Sequence, residues 1–362
     1  MTFKERADLF WNWFAAQEET LSDMATHPRQ YGSQRVADFV GEGIALLAAD
    51  APFNLGGDHE FTFAVEGQEH LFYLLPYLIN RRPAGLHHRW QFFPSLQSSH
   101  GRSFYFGMYG IRVSTQDIQV SMGYDPEAAV FNLRFYHPAL CSLEEEPCYN
   151  AFYILMELTI GESLSYLYMG DVQQAAGPEA DMFPLTQLEG RMEEAIDAMG
   201  HPRFTRPDER YTSYQLHPQP GGGLRQDVIA GVTCYTSLLN DYYAGRTGNA
   251  DALAACGAKA CFLFFHYGDE DRRDVLQVRY DLEDRLQRQV LGPRGSGEEI
   301  GVVLGGALGE TYAYIDLLLY DAPAFLQQVQ PLLASLPYDF SLADFDPEGE
   351  VTPLYAADGR LN

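Results

Sequence analysis

Tyr312-Ala313-Tyr314-Ile315-Asp316-Leu317-Leu318-Leu319-Tyr320 is the stretch that says most about this chain. Read with a period of two, it puts Ala313, Ile315, Leu317 and Leu319 on one face of a strand. Tyr312, Tyr314, Asp316, Leu318 and Tyr320 fall on the other. That second face is mixed, so Asp316 is expected to point into a cleft between domains. A lone buried carboxylate is costly unless it is paired. Arg225 and Arg279 are the candidate partners.

Working outward, residues 260–265 and 300–304 read as strands. Residues 271–291 read as a helix, with Val275, Leu276, Leu282 and Leu286 as its apolar stripe. A second helix spans 325–336, with Phe325, Val329, Leu332 and Leu333 inward, and a short strand follows at 340–342. From residue 260 the order is β-α-β-β-α-β, the split βαβ plan of ferredoxin-like folds. Just upstream, 227–232 reads as a buried strand and 236–243 as a short helix.

The first half gives a related order. Residues 5–22 predict an amphipathic helix with Phe10, Trp13, Phe14 and Leu21 on one face and Trp11 off it. A helix over 33–49, a strand over 61–65 and a helix over 70–82 that contains Pro76 come next. Strands follow at 90–93, 104–109, 118–122 and 130–135, the last two joined as a hairpin through Tyr124-Asp125-Pro126-Glu127. A helix over 148–160, a strand over 165–169 and a helix over 185–199 complete the half. Residues 201–226 then carry four prolines and the run Gly221-Gly222-Gly223, which reads as a joint. The expected fold class is therefore α+β: two tandem ferredoxin-like domains with antiparallel sheets and an N-terminal helix. The domain plan is 1–200, a Pro/Gly-rich joint at 201–226, and 227–362.

Several short runs give a family resemblance. They are Phe10-Trp11-Asn12-Trp13-Phe14 with Glu18-Glu19, Gly161-Glu162, Leu282-Glu283-Asp284, Leu304-Gly305-Gly306-Ala307-Leu308-Gly309, and the strand at 315–321. In these the chain resembles an uncharacterised family of bacterial two-domain proteins. In element order its halves resemble the ferredoxin-like domains grouped with ribonuclease E regulator B. Those include inhibitory and protein-binding members; the resemblance is one of element pattern, supplies no matched functional residue and does not by itself transfer a function.

Composition narrows the function classes. Fifty acids oppose 24 bases, a net charge of −26, and only Lys4 and Lys259 are lysines. That balance excludes a generic electrostatic grip on nucleic acid or anionic lipid. The aromatic-rich strands could suggest base stacking, but residues 301–350 hold eight acids and no base. No stretch is long and apolar enough for a membrane span, and the N-terminus lacks a secretory core. Five cysteines without a CxxC read as buried thiols of a cytoplasmic protein.

Local catalytic patterns are missing. Residues 304–309 run from one strand into another and no lysine follows, so they do not form a phosphate loop. The ten histidines contain no HExxH, and no His/Cys/Asp set has zinc spacing. Cys148 reads as a packing cysteine. The expectation is no catalytic residue, no cofactor and no metal. The polar residues left for a site are Arg225, Glu283 and Asp316 in the cleft between domains, with Glu283 beside Arg279. The reading that follows is a non-catalytic binding or regulatory protein whose acidic surface engages a basic protein partner. The alternative is an enzyme or small-molecule binder that uses the cleft. A homo-oligomer built through exposed strand edges is a third.

Overall fold

The structure, a computed structural model, describes residues 1–200, 203–219 and 223–357. Gly221 and Gly222 of the expected joint lie outside them. The described residues mix helices with four separate sheets.

The first part comprises α1 (Phe3–Ala16), α2 (Glu18–Thr26), α3 (Pro28–Tyr31), α4 (Ser33–Leu46), β1 (Phe53–Gly56), β2 (Glu60–Phe63), α5 (Leu71–Asn80) and β3 (Gln91–Phe93). The middle part comprises β4 (Tyr105–Met108), β5 (Ile111–Ser114), β6 (Gln119–Asp125), β7 (Val130–Tyr136), α6 (Glu145–Ile160), α7 (Glu162–Tyr168), β8 (Met169–Gln174), β9 (Phe183–Pro184) and α8 (Leu188–Ala198). The last part comprises β10 (Thr212–Gln215), β11 (Val228–Thr233), α9 (Thr236–Tyr243), α10 (Gly248–Ala255), β12 (Lys259–His266), α11 (Arg272–Leu286), β13 (Gly301–Gly309), β14 (Tyr312–Leu319), α12 (Ala322–Gln328), α13 (Gln330–Leu333), β15 (Phe340–Asp344) and β16 (Val351–Tyr355).

Seven strands of the last part form one sheet in the order β10-β11-β13-β14-β12-β15-β16. Every pairing in it is antiparallel. β14 sits at its centre and both its faces are buried. Ala313, Ile315, Leu317 and Leu319 face a core completed by Val275, Leu282, Phe325 and Leu333 from α11, α12 and α13. Tyr314, Leu318 and Tyr320 face a different core. That core joins Phe3, Phe10, Trp11 and Phe14 of α1, and Leu71 to Ile79 of α5, to Phe262, Val302 and Leu304 of the sheet. A third core, from Val113 to Ile196, lies wholly within the middle part.

This arrangement departs from a division at residue 200. The first 93 residues cover the second face of the C-terminal sheet, and the middle part packs around a core of its own. The physical reason is that a strand apolar on both sides needs cover on both sides. The last part supplies α11 to α13 for one face, while α9 and α10 leave much of the other for α1 and α5.

Three further expectations change. The strands of the first half divide among three sheets: β1-β2-β3, β4-β5 and β8-β7-β6-β9. Residues 165–169, expected as a strand, are mostly helix α7. Gly161, at φ +81°, ends α6 and lets a new helix start at Glu162. Part of the expected joint is structured, because Thr212 to Gln215 pairs with β11 as the edge strand of the large sheet.

Trp11, placed off the helix face in sequence, is buried, and its indole Nε1 donates to the Leu78 carbonyl of α5 at 2.8 Å. α1 is therefore clamped to α5 by a buried bond as well as by packing. The tempting glycines at 304–309 lie inside β13. Gly305 takes φ +149° at a register shift against β14, as a bulged strand requires.

Candidate functional site

The three residues singled out by sequence separate onto the two faces of one sheet. Arg225 precedes β11 with φ +65°, a left-handed turn conformation that aims its side chain at β14. Its Nη1 donates to Asp316 Oδ1 at 2.5 Å and its Nη2 to Asp316 Oδ2 at 3.3 Å. Nη2 also donates to the Tyr214 hydroxyl at 3.0 Å. The turn itself is held by the Arg225 amide donating to the Tyr314 hydroxyl at 3.0 Å and by its carbonyl accepting from Tyr243. Phe262, Tyr314 and Phe345 ring the guanidinium, each centroid 5.1–5.2 Å away. Arg225 and Asp316 have side-chain exposures of 0% and 1%. The pair lies in a closed core, not in a solvent-filled cleft, and nothing can approach either charge without opening the sheet face.

Glu283 lies across the sheet from that pair. On α11 its Oε1 is 2.9 Å from Arg279 Nη1, and both atoms sit above Gly306 of β13. A Cβ at Gly306 would come within 2.2 Å of that nitrogen and 2.7 Å of that oxygen. The glycine thus makes the space the pair occupies. Burial pushes the Glu283 carboxyl up to about 7, against the pull of the Arg279 charge. Arg225 and Asp316 come together; Glu283 does not join them.

The polar junction of the molecule lies elsewhere, where its three parts meet. Glu162, at the first turn of α7, is almost fully buried. Its carboxylate accepts from the amides of Val65 at 2.9 Å, Glu66 at 2.8 Å and Leu96 at 2.8 Å. A Cβ on the preceding Gly161 would lie 3.1 Å from the Leu96 carbonyl and the Ser98 amide. Gly161-Glu162 is therefore a backbone clamp that fastens α7 to the first part of the chain.

Beside it runs a chain of phenols. Tyr166 donates to Glu69 Oε1 at 2.5 Å, Tyr73 donates to the Cys234 carbonyl at 2.5 Å, and the two hydroxyl oxygens stand 3.2 Å apart. Arg210 closes the junction. It donates through Nη1 to the Leu167 carbonyl and through Nη2 to those of Ala128 at 2.7 Å and Ala129 at 3.4 Å. Burial draws its guanidinium pKa below the usual value. Between these groups is a cavity of about 250 Å³, lined by Glu69, Tyr166, Arg210, Thr212, Cys234 and Thr236 among others. Sequence reading missed this set because its members come from four distant segments and share no spacing.

A second feature lies on the middle part. α8 and the 100–101 turn border an open groove of about 760 Å³ that includes Glu189, Glu193 and Glu194. Glu189 accepts from Ser98 Oγ at 2.5 Å, and Glu193 pairs with Arg203 at 2.6 Å. Glu194 and Asp197 are exposed and form no ion pair with a described residue.

The cysteines are free thiols, four of them buried. Burial pushes Cys148 up to about 11, as suits packing and not nucleophilic attack. Among the described residues, no group of three or more His, Cys, Asp or Glu side chains is placed to hold a metal ion. No helix among them is long and apolar enough to cross a membrane. No protein-family model matches the chain, and no curated protein or solved structure matches it.

Proposed function

We propose that this is a non-catalytic, cytoplasmic binding protein that engages a basic protein partner through its acidic surface. The observation that carries this reading is the net charge of −26 together with the place of the unpaired acids. In the core Arg225 and Arg279 each meet a carboxylate, whereas Glu194 and Asp197 are exposed on the outer side of α8, unpaired with any described residue, beside a groove that includes Glu189 and Glu193. Complementary charge of that kind speeds association and selects partners.

We also propose a ferredoxin-like fold within the last part of the chain. For residues 259–344, ferredoxin-like topology is supported by the strand order β13-β14-β12-β15, antiparallel throughout, with α11 to α13 on one face. The first half lacks that support, since its strands divide among three sheets and two of those sheets contain a parallel pair. The kinship with an uncharacterised bacterial family, and with the domains grouped with ribonuclease E regulator B, is likewise proposed on the runs quoted above.

The test uses polylysine as a basic probe, with binding followed by fluorescence anisotropy over a salt series. Affinity should fall as salt rises. It should fall about tenfold or more when Glu194→Lys and Asp197→Lys are combined. Binding that ignores the charge reversal, or no binding at low salt, would rule the α8 surface out.

A further inference from the structure

We infer that the cavity at the three-part junction is a binding site for a small zwitterion, a metabolite carrying both a carboxylate and an ammonium group, of the amino-acid class. This is independent of the partner-binding reading, because the cavity and the outer side of α8 share no residue.

One wall is cationic. Arg210 makes no ion pair with any described carboxylate; its described hydrogen-bond partners are three main-chain carbonyls. Carbonyls satisfy hydrogen-bonding capacity but leave the positive charge uncancelled. They also take only three of the five guanidinium hydrogens, so Nε–H and one Nη1 hydrogen remain for a ligand. The carbonyls hold it rigidly, and a fixed, half-desolvated guanidinium is suited to a carboxylate.

The opposite requirement is met in the same space. Glu69 lines the cavity and its Oε1 is occupied by the Tyr166 hydroxyl, while Oε2 has no described partner. That oxygen can accept from an ammonium. Thr212 and Thr236 line the same cavity and can supply neutral polar contacts. Thr236 opens α9, whose first turn has no side-chain cap, so its main-chain N–H groups have no side-chain acceptor there. The volume of about 250 Å³ lies just below the ~300–1,000 Å³ of sites for larger ligands and suits a small one.

Assembly of the site from all three parts of the chain adds a consequence. A ligand there touches Glu69 of the first part, Tyr166 of the middle, Arg210 of the segment leading into β10 and Thr236 of the last part. Binding would therefore tie the parts together and raise the unfolding temperature.

The experiment is a thermal-shift and calorimetric screen of the full chain against the common amino acids, with acetate and methylammonium as half-ligands. One or a few amino acids should raise Tm and bind measurably, with both half-ligands at least about tenfold weaker. Glu69→Gln should weaken that binding about tenfold, and Thr236→Val a few-fold. Both positions are at least partly accessible, so circular dichroism should report an unchanged fold. If no amino acid binds at up to about 10 mM, the inference fails. If acetate binds as well as the best amino acid, or Glu69→Gln leaves affinity unchanged, the site is at most an anion site and the zwitterion assignment is overturned.

Discussion

Two arginine–carboxylate pairs sit on opposite faces of the same seven-stranded sheet, and they behave as different objects. Arg225–Asp316 is two-pronged, ringed by aromatics and closed to solvent. Arg279–Glu283 is a single contact over a glycine, and its carboxyl is 16% exposed. The first has every feature of a lock: its partners are complementary, and neither charge can find water if the other is removed. The second is a compromise in which a partly desolvated carboxyl is held near the edge of ionisation. Residue type alone does not separate them. The depth of cover does, and that cover comes from Tyr242 and Tyr243 of α9 with Tyr214 and Phe345 on one face and from α11 on the other.

The largest effect should follow from breaking the lock. Asp316→Ala leaves the Arg225 charge buried and unpaired, at a cost of about 3–5 kcal/mol by chemical denaturation. If the loss is under about 1 kcal/mol, the two pairs are not different in kind. Next is Gly306→Ala, which places a methyl group against Arg279, Glu283 and the Tyr314 carbonyl. Overpacking of this sort costs about 1–3 kcal/mol. Its damage should stay on the α11 face and leave the Arg225 pair intact, which a double substitution with Asp316→Ala would show as additive losses.

The smallest effect sharpens the comparison through pH. Glu283 has a folded pKa of about 7, above its unfolded value. Between the two values the folded state holds a proton that the unfolded state has lost. The group's contribution is therefore most favourable at low pH and declines as pH rises toward 7. Glu283→Gln should match the parent near pH 5 and be the more stable of the two near pH 8. Other acids, such as Glu157 with its carboxyl also raised to about 7 by burial, cancel in the difference. A parent that stays the more stable at pH 8 would place Glu283 among ordinary ion pairs.

Much of the last part was legible because its signals are local. Alternation over 312–320 assigned every side chain of β14 to the correct face, and Arg225 was one of two partners named for Asp316. The hairpin read at 118–135 is β6–β7, paired from Gln119↔Tyr136 to Asp125↔Val130. Other elements were not legible. Helix α7 depends on Gly161 and on Glu162 finding three amides from remote segments. β10 is polar and short, and it is a strand because β11 offers an edge to pair with. The junction residues Glu69, Tyr166 and Arg210 carry no spacing at all, since the folded chain alone makes them neighbours.

What the sequence determined by itself was period: which residues share a face, where helices alternate with strands, and that Asp316 needed a cation. Those follow from the geometry of a single element, which each segment carries with it. Only the tertiary structure decided which segment covers which face, and hence that the first 93 residues belong with the C-terminal sheet. Apolar burial is non-directional, so any apolar surface of the right shape could have served. The choice among them rests on packing across the whole chain, which no local pattern records.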